Sequence, residues 1–225
     1  FIARALRETG IRLEIINSEE EARLAVIGCY SLLPPGDEPA LIFDIGGGST
    51  ELVFVDTTQH MPRILNWCSL PWGVVNLTEV TSGVDGPVLQ RMQAYAAMRR
   101  RVRDSIGTFA STMEQKTSIR LLGTSGTVTT LGGVYLGLET YDRRKVDGLK
   151  VPLMSMRAIC QHLSGLSLAE RAEIASIGLD RADLVVAGCA ILEEILKLWP
   201  ARELCIADRG IREGMLLRLM AHKTI

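Results

Sequence analysis

Little in this chain of 225 residues points to a nucleic acid partner, a metal cluster or a membrane. Its 25 basic and 26 acidic residues leave a formal net charge of −1, which gives no overall attraction to nucleic acid or to an anionic membrane surface. The three histidines are isolated and form no metal-ligand pattern. No apolar run reaches the roughly 18 residues that a bilayer-spanning helix needs. Local geometry would therefore have to attract any polyanionic ligand.

Cysteine use is equally sparse, with five residues and no Cys-x-x-Cys pair. The cysteines are Cys29, Cys68, Cys160, Cys189 and Cys205, most of them in apolar surroundings. This pattern predicts reduced core thiols and a cytoplasmic location.

An apolar fraction of 47% is typical of a globular chain with a real core. Because the chain opens at Phe1 inside a predicted amphipathic helix, we expect it to be part of a longer protein.

Residues 41–55 are the most informative stretch, because three consecutive glycines separate two apolar runs that are typical of paired strands. The loop reads Gly46, Gly47, Gly48, Ser49 and Thr50, with Asp44 before it and Glu51 after it. Without Cβ atoms, the glycines let a bulky anion approach the backbone N–H groups. The two carboxylates could hold Mg²⁺ against phosphate oxygens. The alternative is an ordinary glycine-rich hairpin turn, but the acids and hydroxyls favour phosphate binding.

A second glycine-containing loop lies between a strand predicted at residues 119–122 and a helix predicted at residues 128–135. It consists of Gly123, Thr124, Ser125, Gly126 and Thr127. A helix N-terminus offers free N–H donors and the positive end of the helix dipole, which suits an anion. The alternative is a strand-to-helix turn with a serine or threonine N-cap. Two such loops together favour a ligand with several phosphates.

Three glutamates, Glu19, Glu20 and Glu21, begin a helix that is predicted from Ser18 to about residue 33. Ser18 and Glu21 have the spacing of a capping box, which is a sufficient structural explanation and the one that the residues favour. The functional alternative is a glutamate that orients water for attack on a phosphoryl group, with Mg²⁺ neutralising charge. Spacing alone does not choose among the three glutamates.

The other predicted elements alternate between strands and helices, and they indicate an α/β fold. Strands are predicted at residues 12–16, 62–70 and 203–207, and helices at residues 73–80, 88–109, 154–163, 168–174, 180–199 and from about Ile211. Residues 140–151 are polar, with a turn signal at Asp147. The glycine hairpin makes the sheet mixed rather than parallel. A basic run at residues 99–103 is predicted to be a solvated helix face, with a polyanion-binding track as the alternative, and residues 143–145 are a further candidate anion contact.

Together these motifs resemble the exopolyphosphatase / guanosine pentaphosphate phosphatase (Ppx/GppA) family of the actin-like phosphotransferase superfamily. The matching stretches are residues 18–24, 41–53, 122–127 and 208–214, in the order that the family has them. The glycine hairpin is common to ATP-binding actin-like proteins. Residues 18–24 and 208–214 distinguish the exopolyphosphatase / guanosine pentaphosphate phosphatase family from those other actin-like proteins.

The resemblance implies an actin-like, ribonuclease-H-like fold with a mixed sheet flanked by helices. It implies that Glu21 is the base that activates water, which selects it over its neighbours. Asp44 and Glu51 would be associated with Mg²⁺ (or Mn²⁺), and residues 46–49 and 123–127 would bind phosphate. The implied reaction releases orthophosphate from inorganic polyphosphate or from guanosine pentaphosphate (pppGpp). A homodimer is also compatible with the resemblance.

The resemblance further suggests how the chain is divided. Residues 1–17 would be the remnant of a first actin-like domain, residues 18–207 the second, and residues 208–225 a C-terminal helix that packs back on the first. The family's first phosphate loop would precede this chain, so we expect the isolated chain to have little activity. The sequence also departs from the family at Asn17 and Ser18, where Ser-Gly is common.

Two other functions compete with hydrolysis. The glycine hairpin could hold the phosphates of ATP in an actin-like kinase or chaperone, although no second glycine pair followed by arginine and proline could line an adenine pocket. Alternatively, the chain could be a non-catalytic regulator that binds an alarmone or polyphosphate.

Overall fold

A six-stranded sheet forms the frame of the computed structural model, which describes residues 1–111 and 118–221. The strands are β1 Ala40–Ile45, β2 Thr50–Asp56, β3 Arg63–Leu70, β4 Arg120–Thr124, β5 Lys150–Pro152 and β6 Glu203–Ile206. Their order is β3-β2-β1-β4-β6-β5. The pairs β1–β4 and β4–β6 are parallel, and the other three pairs are antiparallel. The predicted mixed sheet is therefore confirmed.

Helices cover both faces of this sheet. They are α1 Ile2–Thr9, α2 Ser18–Cys29, α3 Val74–Glu79, α4 Val88–Ser111, α5 Ser125–Leu136, α6 Arg143–Val146, α7 Leu153–Gly165, α8 Leu168–Ala172, α9 Val185–Leu198 and α10 Ile211–Ala221, with a 3₁₀ turn at Tyr30–Leu32. Alternate side chains of β1 enter opposite cores, as the period of a strand requires. Phe43 packs with residues of α4, α7 and α9, whereas Ile42 packs with residues of α2.

Three predicted elements differ from the structure. Residues 12–16 are exposed and form no strand, because none of the described strands pairs with them. The helix that begins at Ser18 ends at Cys29, and the helix predicted from residue 180 begins only at Val185 after a series of turns. The polar segment 140–151, in contrast, contains the short α6 and β5, which the sequence did not indicate.

The basic run at residues 99–103 is exposed at Arg100, Arg101 and Arg103, as the sequence suggested, but two of its arginines also form ion pairs with α9. Arg99 binds Glu193 at 2.9 Å and Glu194 at 2.8 Å, and Arg103 binds Glu194 at 2.8 Å. Both glutamates are buried on α9, where an ionised carboxylate needs a cationic partner. Arg99 and Arg103 therefore tie α4 to α9.

Two glycines let α10 lie directly against α2. A Cβ added to Gly28 would stand 2.0 Å from the carbonyl oxygen of Gly210, and one added to Gly214 would stand 2.0 Å from that of Leu24. The backbones of the two helices are thus in contact, which no larger residue would permit.

The division of the chain into two actin-like domains stays a prediction.

The cysteines are all free thiols, and four of the five are buried, as predicted. Among the described residues, no helix combines the length and apolar character that crossing a membrane requires.

Candidate active site

Strand pairing brings three of the predicted site residues into one row. Asp44 of β1 lies opposite Glu51 of β2 in the antiparallel register and beside Thr124 of β4 in the parallel register. Residues in register on neighbouring strands project from the same face of a sheet. The glycine hairpin, its two acids and the start of the second loop therefore meet at one end of the sheet.

Asp44 occupies a largely enclosed position in this row. Burial raises the pKa of Asp44 to about 6, and the charges of Glu51 and Glu21 add to the rise. The ionised side chain is thus held at an electrostatic cost, because it is desolvated and faces two other carboxylates.

Glu51 is buried and held by two hydroxyl groups. Its Oε1 accepts hydrogen bonds from Ser49 Oγ at 2.6 Å and from Ser69 Oγ at 2.9 Å. Its Oε2 has no hydrogen bond with any of the described residues. Ser49 therefore has a second role beside the predicted phosphate contact, and Ser69 joins the site from β3.

Asn17, and not Ser18, is the N-cap of α2. Its Oδ1 accepts a hydrogen bond from the backbone N–H of Glu20 at 2.8 Å, so the third helical residue is Glu20. The capping box expected between Ser18 and Glu21 is therefore wrong. Asparagine and serine are both strong N-caps, and the sequence offered both in succession.

The structure separates the three glutamates by their partners. Glu19 pairs with Arg23 at 3.3 Å, and Glu20 pairs with Arg218 of α10. The carboxylate of Glu21 makes no hydrogen bond or ion pair within the described part of the chain. Burial raises the pKa of Glu21, and the negative charge of Glu51 raises it further. Glu21 thus remains available to a ligand.

The carboxylates of Glu21, Asp44 and Glu51 share one electrostatic environment, because the charge of Glu51 raises the pKa of both Glu21 and Asp44, and the charge of Glu21 also raises the pKa of Asp44. They are the oxygen donors that Mg²⁺ prefers. No three histidine, cysteine or acidic side chains of the described residues converge as a ready metal cage. The arrangement fits Mg²⁺ in the way that this ion is bound beside phosphates, through one or two carboxylates with water and phosphate oxygens as the other ligands.

The second glycine loop is shorter than predicted, since β4 includes Thr124 and α5 begins at Ser125. Thr124 is the N-cap, but its hydroxyl donates to the carbonyl of Arg209 at 2.6 Å, so no side chain caps α5. Ser125 has φ of 81°, a left-handed conformation that is unusual for serine, and its hydroxyl donates to Ile45. Such strain is typical of functional loops.

Gly123 and Gly126 differ in their surroundings. Gly123 is buried in β4, where a Cβ would stand 2.7 Å from the ring of Phe43, so close packing explains the glycine. Gly126 is nearer the open end of the loop, with only the guanidinium of Arg181 at 3.9 Å from a hypothetical Cβ. The phosphate-binding roles of both glycines stay predictions.

An open cleft of about 630 Å³ lies at this end of the sheet. Its walls are Asp44, the beginning of α5, residues 176–181 and the loop at residues 208–213. A smaller cavity of about 170 Å³ lies next to it and shares Ser125, Gly126 and Arg181 with the cleft. Gly46, Gly47, Thr127 and Thr130 also line the smaller cavity. The two glycine loops therefore face a common space, whereas Gly48, Ser49, Glu21 and Glu51 are not among the lining residues.

Residues 1–223 match the model of the Ppx/GppA phosphatase family. The chain belongs to the Ppx/GppA phosphatase family. It is 29% identical over 214 residues to exopolyphosphatase 2 of Mycobacterium tuberculosis. It is 28% identical over 223 residues to the guanosine-5'-triphosphate,3'-diphosphate pyrophosphatase of Aeromonas salmonicida. The alignments cover 93% and 99% of this chain, but only 65% and 42% of those relatives.

Solved structures of the Ppx/GppA family share the fold. The structure of the Aquifex aeolicus family member matches all of this chain and 69% of its own length, with a TM-score of 0.82 and 26% identity. An exopolyphosphatase from Cytophaga hutchinsonii matches with a TM-score of 0.83 at 24% identity, and this match supports the fold of the chain but not its function. The resemblance seen in the sequence and the actin-like fold that it implied are confirmed.

Arg181 is a residue of the Ppx/GppA cleft that the sequence did not indicate. It lines both cavities, and its Nη1 donates to Thr130 Oγ1 and, at 3.4 Å, to the carbonyl of Gly126. A single arginine between a turn and a helix belongs to no motif, so the neighbouring sequence gave no sign that Arg181 lines a binding site.

The sequence assigned no roles to the individual residues of the closing motif at residues 208–214. The structure shows what they contact. Arg209 forms an ion pair with Asp147, while its carbonyl accepts the hydroxyl of Thr124. Glu213 accepts the N–H of Gly210 at 2.8 Å and caps α10. The motif thus fixes one wall of the cleft. Arg143, from the second basic run, is paired with Glu213 at 2.9 Å and is not a free anion contact.

Proposed function

We propose that the protein containing this chain hydrolyses the terminal phosphoanhydride bond of inorganic polyphosphate or of pppGpp, with Mg²⁺ as the required cation. The observation that carries the proposal is the direct pairing of Asp44 with Glu51 between two glycine loops at one end of the sheet. Phosphoryl transfer depends mainly on positioning and charge neutralisation, and these residues offer the means for both.

In this proposal, Asp44 and Glu51 would hold Mg²⁺, which neutralises charge on the reacting phosphate when it is bound. Glu51 is already oriented by the hydroxyls of Ser49 and Ser69. A carboxylate held by hydrogen bonds keeps its geometry when a ligand binds, and outer partners of this kind tune metal affinity.

Glu21 would accept a proton from the attacking water. Its carboxylate has no protein partner among the described residues and its pKa is raised, and both suit a general base, because a base is most efficient when its pKa lies near the working pH. Its neighbours Glu19 and Glu20 are already paired with arginines.

The phosphates would be bound by the backbone N–H groups of the hairpin loop and of the uncapped N-terminus of α5. Both are positive ends of peptide dipoles, and neither needs a side-chain charge. Arg181 supplies one cation where the two cavities meet. These contacts recognise phosphates alone, so polyphosphate and pppGpp both stay within the proposal. A cytoplasmic location and a homodimer also stay predictions.

Phosphate release by the full-length protein tests the proposal. The substrates are long-chain polyphosphate, pppGpp and ATP, each with Mg²⁺ and with EDTA. We expect Mg²⁺-dependent release from polyphosphate, pppGpp or both, and little from ATP. Tight adenine-dependent binding of ATP would favour an actin-like kinase or chaperone. Binding of pppGpp or polyphosphate without any turnover would favour a regulator.

A further inference from the structure

All three glycine carbonyls of the hairpin loop accept hydrogen bonds from the residues that begin α3. The N–H of Val74 donates to Gly46 at 2.9 Å, and the N–H of Val75 donates to Gly47 at 2.8 Å. The third bond comes from a side chain, since Nδ2 of Asn76 donates to the carbonyl of Gly48 at 2.8 Å. The loop is thus fixed along its back.

These carbonyl contacts determine where the loop's N–H groups point. In a trans peptide, the carbonyl of one residue and the N–H of the next point in opposite directions, and the described chain has no cis peptide. The N–H groups of Gly47, Gly48 and Ser49 therefore point away from α3. Within the described residues, none of the three donates a hydrogen bond. They form a row of free donors beside the cavity that Gly47 and Gly126 line.

Asn76 holds this geometry with its whole side-chain amide. Besides Gly48, its Nδ2 reaches the carbonyl of Pro71 at 3.1 Å, and its Oδ1 accepts the N–H of Gly73 at 2.8 Å. The side chain therefore connects the glycine loop, the end of β3 and the first residue before α3. No other side chain of the described chain donates to a carbonyl of this loop.

Gly73 makes the close contact sterically possible. A Cβ at this position would stand 2.4 Å from the carbonyl carbon and oxygen of Gly47 and 2.5 Å from the nitrogen of Gly48. Because these are backbone atoms, the loop itself would have to move. Gly73 has φ of −122°, so space and not backbone conformation requires the glycine.

We propose that Asn76 is a positioning residue for phosphate binding: through the carbonyl of Gly48, and with the space that Gly73 leaves, it aims the N–H groups of the hairpin loop at the phosphate. The inference rests on the proposed function, since it names what prepares the same loop for its ligand. Donors that are oriented in advance cost no reorganisation when the anionic group binds.

The kinetic test compares Asn76→Ala, Asn76→Asp and Gly73→Ala with Thr78→Val in the full-length protein. Thr78 is the matched control, because in the described part of the chain its hydroxyl bonds only within α3, to Val74 at 2.7 Å. We expect the three loop variants to raise KM for the phosphate substrate by about tenfold or more and to lower kcat as well. The control should stay within about twofold in both parameters.

A binding readout separates positioning from mere support of α3. The amide ¹H–¹⁵N signals of residues 47–49 are followed while inorganic pyrophosphate and Mg²⁺ are added. We expect these signals to shift in the wild type and in Thr78→Val, and to shift far less in Asn76→Ala and Gly73→Ala. Melting temperatures show which variants fold. If Asn76→Ala is unfolded, Gly73→Ala decides, since it leaves the side chain of Asn76 intact.

Unchanged KM and unchanged amide shifts in folded Asn76→Ala or Gly73→Ala would overturn the inference while leaving the hydrolase proposal intact. If the wild type released no phosphate from any substrate, the hydrolase proposal would fail, and the amide titration would still decide the role of Asn76. A lower melting temperature with normal KM and normal shifts would mean that Asn76 only caps α3, which also overturns the inference.

Discussion

Asp44 and Glu51 are direct partners across the β1–β2 hairpin, so two carboxylates stand side by side where the glycine loop begins. Like charges opposite one another destabilise a sheet, and burial adds to the cost. A divalent cation bound to the pair would remove this repulsion. The pairing thus links the stability of the fold to the ligand that we propose.

The first prediction is that Asp44→Asn stabilises the metal-free protein at pH 8 while abolishing phosphate release. Because the folded pKa of Asp44 is about 6 against an ordinary value of 3.8, its favourable contribution is present below pH 3.8 and is lost as the pH rises through 6. The neutral asparagine avoids that loss, which is worth about 3 kcal/mol. Urea unfolding at pH 8 and pH 4 measures the difference.

The gain from Asp44→Asn should vanish at pH 4, where wild-type Asp44 is largely protonated in the folded state. Saturating Mg²⁺ at pH 8 should stabilise the wild type and not the variant. Equal stability of the two proteins at pH 8 without metal would contradict the electrostatic account of this pair.

The second prediction concerns the hydroxyls that hold Glu51. Ser69→Ala removes the 2.9 Å hydrogen bond to Oε1 without touching either glycine loop. Losing one such bond to a charged group costs about 1.5 kcal/mol, so the Mg²⁺ concentration needed for half-maximal activity should rise roughly tenfold. A Mg²⁺ titration of phosphate release measures it. Thr58→Ala, at an exposed turn, should leave the titration unchanged.

A third prediction tests the left-handed backbone of Ser125. Ser125→Ala and Ser125→Gly both remove the hydroxyl that donates to Ile45, but only glycine adopts φ of 81° without strain. Ser125→Gly should therefore be more stable than Ser125→Ala by about 1 kcal/mol. Equal melting temperatures for the two variants would show that no strain is present at this residue.

The fourth prediction addresses the contact between α2 and α10. Gly214→Ala places a Cβ 2.0 Å from the carbonyl of Leu24 and should destabilise the fold by about 3 kcal/mol. Gly107→Ala in α4 is the control, because a Cβ there meets nothing within 4 Å and should stabilise the helix by about 0.5–1 kcal/mol. Thermal unfolding of the two variants should move in opposite directions.

Features that are local in sequence could be predicted. Glycines at residues 46–48 between two apolar runs indicate a hairpin whatever lies around it, and its register then places Asp44 opposite Glu51. The strand before Ser125 and the helix after it follow from the same reasoning. Boundaries were less certain, because Asn17 and Ser18 are both strong N-caps and only tertiary packing chooses between them.

Features that depend on distant partners could not be predicted. The three-residue strand β5 exists because Val151 pairs with Leu204, which is 53 positions away. Arg99 pairs with two buried glutamates of α9, and its sequence neighbours gave no sign of them. Arg181 and Asn76 reach the glycine loops from separate elements, so neither has a spacing that would mark it.

The measurement that tests the central claim most directly is the rate of Mg²⁺-dependent phosphate release by full-length Glu21→Gln. Glu19→Gln is the control, because Glu19 lies in the same helical turn and, among the described residues, pairs only with Arg23. If Glu21 is the base, its replacement should lower kcat by about 100-fold or more, while the control stays within about twofold. A fall of less than about tenfold for Glu21→Gln, which corresponds to roughly 1.4 kcal/mol of barrier, would contradict the account.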